Sequence, residues 1–71
     1  MTPLRKARIE KGWTAIRVAN ESGATSESRL FQLERGRYRP RPAEAVALSM
    51  LLGKPVDDLF PGGVQNEEAN K

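Results

Sequence analysis

The chain alternates short amphipathic blocks with glycine and proline punctuation, and the apolar positions inside each block recur every three or four residues. Such spacing gathers them on one side of a helix. Leu4, Ala7, Arg8 and Lys11 keep it from Pro3 until Gly12 interrupts. This predicts a first helix over about Pro3–Lys11, with Thr2 as its cap and proline at the first helical position. Thr14 caps a second helix reaching about Ser22, with Val18 and Ala19 on the inner side and Gly23 as its stop. After the turn Gly23-Ala24-Thr25, Ser26 caps a third helix over about Glu27–Arg35, whose Leu30 and Leu33 point one way before Gly36 closes it.

Pro40 and Pro42 donate no backbone hydrogen bond, so Gly36 to Arg41 reads as irregular and Pro42 as the first residue of a fourth helix ending at Gly53. Val56 to Phe60 gives a short fifth helix, with Asp57 and Asp58 near its start, where the helix dipole favours negative charge. Beyond Pro61 the chain is polar and aperiodic; residues 62–71 are expected as a disordered tail, leaving residues 1–61 as one domain. No segment repeats and none reads as a strand. The expected fold class is all-α, a compact bundle of about five short helices.

A chain of 71 residues buries only about 60% of the surface its unfolded form exposes, so an apolar core must carry the fold. With no cysteine and no histidine, disulfides, zinc sites and thiol or histidine catalysis drop out. Glycine-rich phosphate loops are missing, and the carboxylates stand singly or at helix starts without a nearby nucleophile or base. No enzyme activity, cofactor or small-molecule ligand is expected. No apolar run approaches the roughly 18–20 residues of a membrane span, and the charged stretch Met1–Lys11 leads into no hydrophobic signal region. A cytoplasmic protein without a membrane partner is expected.

The net charge of +3 understates a local asymmetry: Arg29, Arg35, Arg37, Arg39 and Arg41 crowd one stretch opposed only by Glu34. A phosphate-bearing partner suits such a patch, although charge alone fits a solvated basic surface as well. Two short helices joined by a glycine turn are the arrangement in which the second can lie in a DNA major groove. Leu4-Arg5-Lys6-Ala7-Arg8, Lys11-Gly12-Trp13-Thr14, Val18-Ala19, Gly23, Gln32-Leu33-Glu34-Arg35-Gly36 and Leu52-Gly53 to Asp57-Asp58-Leu59-Phe60 carry a family likeness in their order and spacing. They resemble the phage-repressor and Cro-type helix-turn-helix family over about residues 3–60. The resemblance implies a lambda-repressor-like fold and a transcriptional regulator, chiefly a repressor, of the kind found in phages and mobile elements. Two departures bear on docking geometry: Ala15 stands where members commonly carry a phosphate-binding glutamine, and the turn before the third helix is one residue longer than usual.

With Leu30 and Leu33 against the core at about 100° per residue, Ser28, Gln32 and Arg35 fall outward and Phe31 and Arg29 flank them. Arginine bonds a guanine edge, glutamine an adenine edge and serine either, while phenylalanine packs on a thymine methyl. These five are candidate base readers, and the resemblance adds Glu27 and supports Ser28 at the helix start. Phe31 reads equally as peripheral core against the first two helices, and Glu27 as a charge that suits a helix N-terminus. Phosphate contacts are assigned to Arg37, Tyr38, Arg39 and Arg41 in the proline-restrained loop, and to Thr14 and Arg17 at the start of the second helix. Arg8 and Glu34 match positions that the resemblance pairs as a salt bridge between helices one and three.

The fourth helix is apolar on more than one side. Ala45, Leu48 and Leu52 form a core stripe, which leaves Val46 and Met50 outside, as a ridge for a homodimer together with Leu59 and Phe60, or else buried under the C-terminal helix. A homodimer at least on double-stranded DNA would match paired half-sites. The competing function is a protein-interaction module built on the basic patch and this ridge. RNA binding ranks below both, because the aromatic residues Trp13, Phe31, Tyr38 and Phe60 are scattered rather than gathered into a stacking platform.

Overall fold

Three short polar side chains set where the first three helices begin. In this computed structural model, which describes residues 1–65, the Thr2 hydroxyl accepts from the Arg5 amide, Thr14 from the Arg17 amide at 3.2 Å and Ser26 from the Arg29 amide at 3.1 Å. Each bond satisfies one of the amides that a helix start leaves without an internal partner. The elements are α1 (Pro3–Lys11), α2 (Ala15–Ser22), α3 (Glu27–Glu34), α4 (Pro42–Leu52) and α5 (Val56–Leu59). Arg35 falls just past the last α3 residue as its cap, one position short of the expected end. The fold is all-helical, with no strand among the described residues.

Two glycines carry the turns that aim α3. Gly23 takes φ +67° after α2, a left-handed conformation that costs an ordinary side chain energy. The Ser22 hydroxyl bridges the same corner, donating to the Ala19 carbonyl at 2.9 Å and accepting from the Ala24 amide at 3.3 Å. Gly36, at φ +74°, closes α3: its amide bonds the Leu33 carbonyl and the Arg37 amide reaches back to the Gln32 carbonyl. That pair of bonds satisfies the last carbonyls of α3 and turns the chain sharply into the arginine loop. The Thr2 hydroxyl also donates to the Glu34 carbonyl, tying the start of α1 to the same corner.

The core contains the residues that the helical spacing singled out: Leu4 and Ala7 of α1, Val18 of α2, Leu30 and Leu33 of α3, and Ala45, Leu48 and Leu52 of α4, with Ala19 buried beside them. α2 packs on both α3 and α4, and α1 on α3, α4 and α5. A fully enclosed leucine such as Leu30 or Leu48 contributes roughly 1.5–3 kcal/mol by leaving water. Among the described residues, no helix is long and apolar enough to cross a membrane.

Two expectations are corrected here. Leu59 and Phe60, expected on an outer dimer ridge, are buried members of the core. α5 packs against α1 and α4, and this turns its apolar end inward. Residues 62–65, expected as the start of an unordered tail, return to the domain instead: Val64 packs against the core and the Gln65 amide bonds the Pro40 carbonyl at 2.8 Å. Residues 66–71 of that expected tail lie outside the described residues.

Candidate nucleic-acid interface

The outer side of α3 follows from which side its leucines bury. With Leu30, Leu33 and Glu34 inward, Glu27, Ser28 and Arg35 are exposed, and Phe31 is 41% exposed beside Arg5 and Arg35. This places a carboxylate, a hydroxyl, a guanidinium and an aromatic face on one solvent-facing helix surface. Each has a complementary base edge or methyl group in a major groove.

Two of the expected base readers sit differently. Gln32, expected outward, is half-buried, and its Oε1 is enclosed without a protein hydrogen-bond partner. Arg29, expected as a base reader on the flank of the helix, turns its guanidinium to α4 instead. Its Nε meets Glu44 Oε2 and its Nη2 meets Glu44 Oε1, both at 3.1 Å, and Nη2 also donates to the Arg39 carbonyl at 3.3 Å. The Glu44 hydrogen bond raises the Arg29 pKa against the opposing effect of burial, aided by attraction to Glu44 and Tyr38. Its Nε and Nη2 are committed within the protein.

Past Gly36, Arg37, Tyr38, Arg39 and Arg41 are all exposed, while Pro40 between them is buried and anchors the loop. The run of cations therefore continues from the exposed end of α3 at Arg35. At the start of α2, Thr14 and Arg17 are also exposed. Arg17 lies over the Trp13 ring, its guanidinium carbon 3.8 Å from the ring centre, and the Lys11 ammonium lies 5.0 Å from the same centre. Trp13 and Lys11 belong to this cluster at the candidate interface and were missed by sequence reasoning; the close pairing of Lys11, Trp13 and Arg17 across a helix start was the available signal. Ala15, the position of the first departure, is buried and presents no polar group there.

Arg8 and Glu34 meet in a bidentate ion pair, Nε to Oε2 at 2.6 Å and Nη2 to Oε1 at 3.1 Å, with side chains 12% and 4% exposed. Arg8 Nη1 also donates to the Trp13 carbonyl at 2.9 Å. The Glu34 hydrogen bond raises the Arg8 pKa, and the attraction of Glu34 adds to it, against a smaller opposing effect of burial. One guanidinium thus locks α3 to α1 and fixes the peptide carrying the ring beneath Arg17. The last carboxylate of the region is Glu44, buried near the start of α4, which also accepts the Arg41 amide at 2.8 Å. Burial alone pushes its carboxyl up, but the hydrogen bonds from Arg29 and the Arg41 amide, the nearby Thr25 hydroxyl and the Arg29 charge outweigh this and hold it below the ordinary carboxylate range.

Two capped helices at a glycine corner, the second carrying an open polar face and running into exposed arginines, define a DNA-binding helix-turn-helix domain. The model of the helix-turn-helix family matches residues 4–59, and the chain belongs to that family, in its Cro and phage-repressor type. No curated protein and no solved structure gives a significant match.

Proposed function

We propose that the chain is a sequence-selective, double-stranded DNA-binding regulator of transcription that acts as a repressor in the cytoplasm. α3 enters the major groove, where Glu27, Ser28, Phe31 and Arg35 meet base edges, with Gln32 at the margin. Arg37, Tyr38, Arg39 and Arg41 hold the phosphates of one strand, and Thr14 and Arg17 those at the start of α2. The observation that carries this reading is the exposed outer face of α3, which continues without interruption into the exposed loop cations. Base contacts give selectivity and phosphate contacts give register and most of the non-specific affinity.

The second half of the reading is a homodimer on paired half-sites. It is supported by Val46 and Met50, one turn apart on α4 and 53% and 80% exposed, which the domain's own C-terminal helix leaves uncovered. Leu59 and Phe60 take no part in it. The test of function is binding to a random-sequence duplex followed by selection from a random pool. Salt-dependent affinity of about 10⁻⁴ to 10⁻⁶ M for random DNA and a selected site with two-fold symmetry are expected. Absence of duplex binding at low salt would overturn the proposal.

A further inference from the structure

The base-reading helix runs through Gly36 into the phosphate-holding loop, and a buried carboxylate on α4 braces the two against each other. Glu44 Oε1 accepts from both Arg29 Nη2 and the Arg41 amide, while Oε2 takes Arg29 Nε. Arg29 then reaches into the loop itself, where its guanidinium lies 5.5 Å from the Tyr38 ring centre and bonds the Arg39 carbonyl. The same carbonyl accepts from the Gln65 side chain at 2.9 Å, so the loop backbone is held from two sides. We infer that Glu44 and Arg29 are positioning residues for DNA binding: the Glu44–Arg29 pair touches no nucleic acid and sets the loop Arg37–Arg41 in register with α3.

The chemistry separates this from both simpler roles. Were Glu44 only a charge near DNA, removing it would strengthen binding, since the chain loses a negative charge and with it a repulsion of the phosphates. Were Arg29 a phosphate or base contact, releasing it from Glu44 would also strengthen binding. A brace predicts the reverse sign. Without it the loop cations sample positions from which they cannot all reach one strand, and ordering them costs affinity on binding.

This inference rests on the proposed DNA binding, and its test uses a random-sequence duplex titrated against salt with wild type, Glu44→Gln, Arg29→Met and the double variant. Each single change should weaken binding about tenfold, and the double should weaken it no further, as residues acting through one contact do. The salt slope should also flatten by about one phosphate's worth. Tighter binding by Glu44→Gln, or additive losses in the double variant, would overturn the inference. A second measurement needs no variant: the Arg29 Nε–H should exchange slowly with solvent in free wild type and keep its resonance when duplex is added. Exchange as fast as that of exposed Arg37, or a shift on binding, would overturn it equally. If wild type bound no duplex, the functional reading would fall, and the exchange rate would still decide whether the brace exists.

Discussion

Replacing Arg8 with alanine should cost the domain a large share of its stability before any effect on DNA can be read. Arg8 makes two contacts to the Glu34 carboxylate and a third to the Trp13 carbonyl, and the Glu34 side chain is only 4% exposed. Truncation strands that carboxylate in the core side of α3, where loss of one partner of a buried pair costs about 3–5 kcal/mol. The lost bond to the Trp13 carbonyl adds about 1 kcal/mol. A domain of this size has a total stability of only about 4–10 kcal/mol at the usual value per residue. The two losses together come to about 4–6 kcal/mol, so the melting temperature should fall by at least about 16 °C, at roughly 4–8 °C per kcal/mol. Urea or thermal unfolding followed by circular dichroism reads this directly. The informative control is Arg8→Met with Glu34→Leu, which removes both charges and should recover most of the loss, because no unpaired charge remains. An unchanged midpoint for Arg8→Ala, or a double variant as unstable as the single, would refute the argument.

Three further outcomes follow from the same contacts. Because the Glu44 carboxyl is held below its ordinary range in the folded protein, its contribution to stability is present above the unfolded value of about 4.3 and is lost as pH falls through the folded value. Wild type should lose melting temperature on acidification through that window, and Glu44→Gln should lose less; parallel curves would contradict the pairing. Val46→Glu with Met50→Glu should leave the fold intact, since both side chains are exposed, while abolishing dimers on a selected duplex by sedimentation. An unchanged mass would remove the ridge from the interface. Trp13→Leu keeps an apolar body but removes the ring under Arg17, so it should weaken duplex binding by a few-fold with little change in base preference; unaltered affinity would contradict the stacking role.

What the sequence disclosed and what it concealed divide along the distance between cause and effect. Helix starts were legible because Thr2, Thr14 and Ser26 each bond an amide three residues on, and the core because Leu30 with Leu33 or Leu48 with Leu52 share a helix side. The Arg8 and Glu34 positions were legible only through family likeness, as their contact spans 26 residues. Arg29 looked like a surface arginine on its own helix wheel. Its partner Glu44 is fixed by how the N-terminus of α4 meets the turn and α3, which no local pattern records. Phe60 follows the last residue of a four-residue helix, too short for periodicity to separate inside from outside. Gln65 lay beyond glycines and proline that read as an ending, and its anchor, the Arg39–Pro40 backbone, is 25 or more residues away. Local signals thus placed the recognition helix; the loop's attachment to it depended on tertiary contacts.

DNA binding by this chain depends on one surface, the outer side of α3 and the loop that follows it. Backbone amide shifts recorded while a random-sequence duplex is titrated into the labelled wild-type chain test it most directly. The largest changes should fall at Glu27–Glu34, at Arg35–Arg41 and at the start of α2, while Val46, Met50 and α5 stay still in the monomeric complex. Changes centred on α4, or none at salt low enough for non-specific binding, would contradict it.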